Sequence, residues 1–405
     1  MTSSSTCPSA TSETPFLGLA PFLRHSIAGL DLMPDTQTML AQAEINPHDA
    51  NLWMNLSTAM LCLGHRDLGL SIQAQALGIQ RIFALPARQQ PAQFRLLMLM
   101  TAGDLAENTP LDCLLENSDV DLIYYYITPE SPLVHPIPEH DAVMVGIGDS
   151  SANQSTLAAL AEVLADWPKP VINSAQHIPN TDRGILSQLL QGIPGLLIPS
   201  TLHVTRQQLE AVATGRQPLE SYGDIEFPII VRPIGSQAGR NLERLTAPGE
   251  LTSYLAQVGE PDFFVARFID YSSRDGRFRK YRIAIIDGHP FACHMAVSSH
   301  WMIHYVNAGM YDDPAKRNEE ARWMAGFDAF AARHGEALAT IHQRLKLDYF
   351  CIDCAETEDG QLLIFEADHV MVVHAMDQVE LFPYKHQHMA KVSQAFRAML
   401  LSRSA

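Results

Sequence analysis

Residues 347–369, LDYFCIDCAETEDGQLLIFEADH, constrain this chain more than any other stretch. Two short apolar runs flank Glu358-Asp359-Gly360, a polar turn of the kind that closes a hairpin between antiparallel strands. Asp353 ends the first strand. Glu366 and Asp368 lie two apart near the end of the second, so they project to one face, and the hairpin can swing Asp353 alongside them. Three carboxylates between apolar strands are costly unless cations neutralise them. Hard oxygen donors of this kind suit Mg²⁺, which takes one or two carboxylates and completes its shell with phosphate oxygens and water. From these residues alone, a metal-binding face and a solvated acidic face both stay open.

The 405 residues carry no long charge-free apolar run, so no membrane-spanning segment is expected, and the length accommodates two to three domains. A formal net charge of −17 argues against non-specific nucleic-acid binding, which needs Lys and Arg against phosphate. The N-terminal MTSSSTCPSATSETP lacks a basic-then-apolar signal pattern, and a cytoplasmic location is the expectation. Six cysteines in a chain this long make no disulfide scaffold. Cys351 and Cys354 form a C-x-x-C, but in a strand they point to opposite faces or straddle Asp353, and zinc needs two further ligands. They read as reduced core residues.

Residues 1–18, rich in Ser, Thr and Pro, are expected to be disordered. Residues 19–90 read as helices. Trp53, Leu56, Met60 and Leu63 mark one helix face, Gly64 breaks it, and Leu68, Ile72 and Ala76 begin a second. This pair resembles one tetratricopeptide unit, with a partial copy before it. It reads as a cap or dimerisation module, compatible with a homo-oligomer, and partner recognition through it stays open. Residues 91–180 alternate apolar strands (95–100, 120–127, 141–149, 169–174) with helical patterns, which implies a parallel, doubly wound α/β sheet. Such sheets collect ligands beyond the carboxyl ends of their strands. GIGDSSANQS lies at such an end. It is either a tight strand-to-helix turn or a substrate loop using Gly146, Gly148, Asp149 and Asn153. The 318–346 stretch is an amphipathic pattern of one or two helices, and the segment after residue 385 is a closing helix.

Between about residues 140 and 400, ordered motifs resemble the ATP-grasp superfamily. Asp353 followed by Glu366 and Asp368 is similar to that family's metal-binding strand pair, with Asp368 where the family has Asn. The segment IPNTDR, with Thr181 or Asp182 as a helix N-cap, resembles the start of the ATP-grasp part of glutathione synthetase, D-alanine ligase and RimK-type enzymes. Arg183 stands there at the position of a Lys. In FPIIVRPIGSQAG, Arg232 stands at a second Lys, before a phosphate loop of Gly235, Ser236, Gln237, Ala238 and Gly239. Glycines let backbone amides approach phosphates, and the guanidinium fork keeps a cation there. Ala266, Arg267, Phe268 and Ile269 match the adenine hinge, with Asp270 as the acid for the ribose. Within the basic run Arg277, Arg279, Lys280, Arg282, the resemblance makes Arg282 the contact to an acyl phosphate. Lys280 shares its face, and Asn307-Ala308-Gly309 resembles the family's Asn-x-x-Gly element beside the triphosphate, with the Gly one residue early. His300 and His304 are four apart without a zincin Glu. His304, His369 and His374 remain substrate contacts or buried imidazoles.

This resemblance implies ATP-grasp subdomains over 181–400 and an ATP-dependent ligase joining a small-molecule or peptide carboxylate to an amine through an acyl phosphate. Arg282, Lys280 and Asn307 would be catalytic. Arg183, Arg232, Gly235, Ser236, Gly239, Arg267, Phe268, Ile269 and Asp270 would bind ATP. Asp353, Glu366 and Asp368 would hold Mg²⁺, with Mn²⁺ as an alternative. A catalytically silent nucleotide-binding scaffold and a peptide-modifying ligase remain the competing readings.

Overall fold

A computed structural model describes residues 14–128, 133, 136–236 and 239–403 of the chain. Helices α1 (Ala20–Ile27), α2 (Met33–Ile45), α3 (Ala50–Cys62) and α4 (Arg66–Ile79) form its front. The Asp49 carboxylate caps α3 by accepting from Leu52 N (3.0 Å). Gly64, at φ +81°, turns the chain back, a conformation Gly reaches without a Cβ penalty. α4 then lies so close to α3 that a Cβ on Gly69 would stand 2.7 Å from Leu61. Trp53, Leu56, Met60, Ile72 and Ala76 are buried as their spacing requires, whereas Leu68 is exposed. The buried face joins Phe83, Leu96 and Met98 in one core, so the pair covers a sheet. Of the stretch expected to be disordered, Phe16 and Gly18 are buried. Phe16 lies between the rings of Phe83 and Tyr124, and Leu17 N donates to Asn55 Oδ1 (2.9 Å).

Next come β1 (Ile82–Leu85), β2 (Phe94–Thr101), α5 (Leu111–Leu115), β3 (Val120–Ile127), β4 (Ala142–Val145), α6 (Gln154–Leu164) and β5 (Val171–Ile172). The sheet order is β1-β3-β2-β4-β5, parallel except for β1. β1 corrects the all-helical expectation for 19–90: pairing with the free edge of β3, over a fully buried Phe83, wins over local pattern. Leu97, Leu99, Val143 and Val145 pack with α6, while Leu96, Met98 and Met100 pack with the helical front. Both faces are therefore covered, as in doubly wound α/β folds.

α7 (Arg183–Leu189), β6 (Leu196–Leu197), β7 (Thr201–Thr205), α8 (Arg206–Ala213), β8 (Ile229–Pro233), β9 (Glu243–Leu245), α9 (Glu250–Gln257) and β10 (Asp262–Arg267) follow. A second, antiparallel sheet runs β7-β10-β8-β9. Its period-two pattern buries Ile229, Val231, Phe263 and Val265 with residues of α8 and α9. Ile230, Arg232, Phe264 and Ala266 are left on the other face, lining a cleft.

The third sheet is β12-β11-β13-β14-β6, built from β11 (Phe278–Ile286), β12 (His289–Ser298), β13 (Tyr349–Glu356) and β14 (Leu362–Asp368). Asp287 and Gly288, at φ +48° and +79°, make the β11–β12 turn, the pair of left-handed conformations a two-residue hairpin favours. The β13–β14 turn closes where Thr357 N donates to Gln361 O (2.9 Å), with Gly360 at φ +82°. The 318–346 pattern is three helices rather than one or two: α10 (Pro314–Ala325), α11 (Phe327–Arg333) and α12 (Gly335–Leu345). Gly326 ends the first by donating to the Arg322 and Trp323 carbonyls. α13 (Lys385–Arg403) seals the core, with Phe396 edge-on to Tyr349 at 5.1 Å. Each such buried side chain contributes roughly 1.5–3 kcal/mol.

Candidate functional site

The cleft lies between the second and third sheets. Strand alternation supplies an apolar part of its lining: Ile230, Phe264 and Ala266 from the second sheet, Leu363 and Phe365 from β14. The backbone after β10 crosses one side through Arg267, Phe268 and Ile269. Phe268 N–H already donates to Pro228 O (2.8 Å), so that amide is engaged within the protein. Its ring meets Trp301 edge-on, and the Arg244 guanidinium lies 4.0 Å over it. Asp270 is exposed, accepts from Ser272 N (2.9 Å) and stands outside the cleft wall.

The mouth is charged. β8 delivers Arg232, whose Nε donates to Ser236 Oγ (3.1 Å) and whose second nitrogen reaches Ser236 O. Burial, and then the neighbouring charge of Arg183, pull Arg232 down to about 10. Gly235 and Gly239 sit at φ +75° and +70°, left-handed conformations that glycine reaches without a Cβ penalty. Gln237 and Ala238 lie outside the described residues. Arg183 is held by the start of α7, where Asp182 Oδ1 accepts from Gly184 N and Ile185 N (2.9 and 3.0 Å). Its guanidinium pairs with Glu366 and donates to Phe365 O (3.3 Å).

The hairpin register sets Asp353 opposite Glu366 on β13 and β14, and Arg282 opposite Asp353 on β11. Asp353 is fully buried and doubly bridged. Arg282 Nε donates to Oδ1 (2.8 Å) and its terminal nitrogen to Oδ2 (3.0 Å), while Lys280 Nζ lies 2.7 Å from Oδ2. Burial alone would raise the Asp353 carboxyl. The charges of Arg282 and Lys280 more than reverse it and hold it below the carboxylate range. Burial likewise acts upward on Glu366, and Arg183 leads the charges that bring it down. His304, beside Gly239, is lowered by burial and then by Lys280.

Two of the expected site residues stand apart from this cluster. Asp368 does not join the carboxylate pair: its Oδ1 accepts from Val370 N (3.2 Å) and faces His369 Nδ1 (3.4 Å). The strand pattern places it on the right face, but it pairs with Cys351, one step beyond Asp353. Asn307 is exposed and caps its own turn by accepting from His304 N (2.9 Å). Among the described residues no group of three His, Cys, Asp or Glu side chains converges to hold a metal. Cys351 and Cys354 fall in opposite cores, His300 is exposed in a loop, and His374 Nδ1 accepts from Met376 N (3.1 Å).

An implied magnesium ion fits this donor set poorly. Both oxygens of Asp353 are engaged by fixed cations and Glu366 Oε2 is engaged by Arg183, so a metal would share these carboxylates with cations already in place.

Gly146, Gly148, Asp149 and Asn153 lie on the other side of Asp368. His369, fully buried, bonds Ile147 O (3.0 Å), and a Cβ on Gly148 would stand 3.0 Å from Val370. Asn153 Nδ2 donates to Gly148 O (3.0 Å) and Glu107 Oε2 (3.1 Å), which makes the turn reading good locally. Asp149 is pushed up to about 6 by burial and then by the charges of Asp182 and Asp368.

The apolar wall was the part sequence reasoning missed. Alternation along β8 and β10 could have placed Ile230 and Phe264 on the face of Arg232, but the 301–304 loop carries no such signal. A second missed cluster lies behind it. Lys385, buried, bridges Asp377 (2.9 Å) and Glu320 (3.4 Å). Tyr305 and Tyr384 donate to Glu320 (2.8 and 2.6 Å), and Tyr311 donates to Asp377 (2.7 Å).

No family model and no curated protein matches the chain. Solved structures do. D-alanine–D-alanine ligase from Bacillus anthracis, complexed with ATP, is 13% identical over 77% of this chain and 96% of its own, with a TM-score of 0.46. The VanG D-Ala:D-Ser ligase of Enterococcus faecalis is 12% identical over 77% and 99%, at 0.48. A RimK domain ATP-grasp protein from Sphaerobacter thermophilus is 15% identical over 76% and 99%, at 0.42. Overlaps of this extent leave the functional reading to the side chains of the cleft.

Proposed function

We propose that the chain is an ATP-dependent carboxylate–amine ligase. The observation that carries this reading is the division of the cleft. Its apolar lining, Ile230, Phe264, Phe268 and Leu363, suits a base. Its charged lining, where Arg183, Arg232 and Lys280 surround Glu366, suits a polyphosphate. The carboxylate oxygen attacks the γ-phosphorus, the bond to the β-phosphate oxygen breaks, and ADP leaves. An amine then attacks the acyl carbon, phosphate departs, and the amine proton goes to solvent. The cations hold the phosphates in line and neutralise the charge that builds on the transferring group. Arg282 acts at one remove, fixing through two hydrogen bonds the Asp353 carboxylate that Lys280 also contacts.

ADP release tests it: pools of carboxylates and amines should each leave ADP formation near background and together raise it with equal phosphate. A second reading, a silent nucleotide-binding scaffold, is favoured by the pairing of both mouth carboxylates with protein cations. Nucleotide binding with no ADP from any pool would select it.

A further inference from the structure

We propose that the cleft takes its polyanion without a divalent metal, the charge of such an ion being supplied by the chain. This rests on the nucleotide reading above and concerns how the same mouth is neutralised. Four cations, Arg183, Arg232, Lys280 and Arg282, surround two carboxylates, Asp353 and Glu366, which leaves an excess of two positive charges, that of one magnesium ion. Asp368, the third acid, turns away to Val370 and His369. A site built for a metal shows the reverse balance, with oxygen donors in excess and free to coordinate.

The cations also differ in what they hold. Arg282 is committed to Asp353 and donates to Val372 O (3.1 Å). Arg232 faces no carboxylate within ion-pair distance among the described residues. It bonds only Ser236 of the phosphate loop and is repelled by Arg183. Two guanidiniums held together at the mouth of a half-buried cleft are relieved by an anion and aggravated by a second cation. Guanidinium forks also match phosphate oxygens in pairs, which a single strongly hydrated ion does not.

Calorimetric titration of the full chain with ATP, in excess EDTA and in excess Mg²⁺, is the test, with inorganic tripolyphosphate as a second probe. The expected result is binding in EDTA within about threefold of that in Mg²⁺, and binding of tripolyphosphate in EDTA. Binding that requires Mg²⁺ or Mn²⁺ overturns the inference and leaves the nucleotide reading standing. Absence of ATP binding in both conditions removes both. Glu366→Gln separates the two roles of that carboxylate. As the counter-ion of Arg183 its loss tightens ATP binding in EDTA roughly fivefold. As a metal ligand its loss would leave EDTA binding unchanged and weaken binding in Mg²⁺, which would also refute the proposal.

Discussion

Replacing Lys385 with Met puts the buried network behind the cleft to a direct test. The Lys385 ammonium is the only cation bridging Asp377 and Glu320 among the described residues, and Glu320 has no exposed surface. Methionine fills the stem's space but leaves two buried carboxylates facing each other's charge. Breaking a buried pair from one side costs about 3–5 kcal/mol. The hydrogen bonds from Tyr305, Tyr311, Tyr384 and Met295 N remain and should hold the loss near the lower end. Urea unfolding at neutral pH reads it as a lower midpoint with unchanged slope. The pH dependence supplies the second half. In the native chain Asp377 lies below its ordinary value because Lys385, ahead of His374, offsets its burial. Without Lys385 burial wins, and the folded-state pKa rises above the unfolded one. A raised carboxyl stabilises the fold below the unfolded pKa and loses that contribution as pH rises through the folded one. The variant's deficit should therefore be largest near pH 8 and shrink toward pH 5. A deficit under about 1 kcal/mol, the scale of an exposed pair, or one flat in pH would refute the argument.

Asp149→Asn should change the pH profile of stability. The native carboxyl, at about 6, keeps its proton while the unfolded chain releases its own near 3.8, so this group's contribution declines between those values. Thermal unfolding from pH 4 to 7 should lose that part of the decline in the variant, and an identical slope would sink the assignment. Phe396→Ala should cost about 3–5 kcal/mol by leaving a cavity against Tyr349. A change in urea midpoint worth less than about 1 kcal/mol would mean that α13 is not the seal of the core described here.

What the sequence made legible was local. The 347–369 hairpin and the parallel strands of the first sheet are set by period, turn chemistry and apolar runs. The structure forms them where those patterns lie. Arg183, Arg232 and Lys280 line one cleft. Two kinds of contact lie outside that local pattern: side chains taken up by their own adjacent loops, and pairings across the sheets. Asp368 was placed by strand parity, but the 370 loop captures it. Asn307 was placed by a motif, and its own turn uses its side chain. The pairing of Asp353 with Lys280 and Arg282 spans about 70 residues and follows from sheet order, which no window of sequence contains. β1 appears in a helical region because an edge of the first sheet was free to take it.

The close approach of Gly239 to the 301–304 loop has a kinetic consequence. A Cβ at that position would stand 3.2 Å from both His304 Nε2 and Met302 Sδ, so a loop of the second sheet and a loop beside the third sheet meet over the cleft. Gly239, Met302 and His304 all line the cleft. For a molecule that enters between them, a stronger contact slows entry and exit together and leaves affinity nearly unchanged, so residence time and affinity become separately adjustable properties.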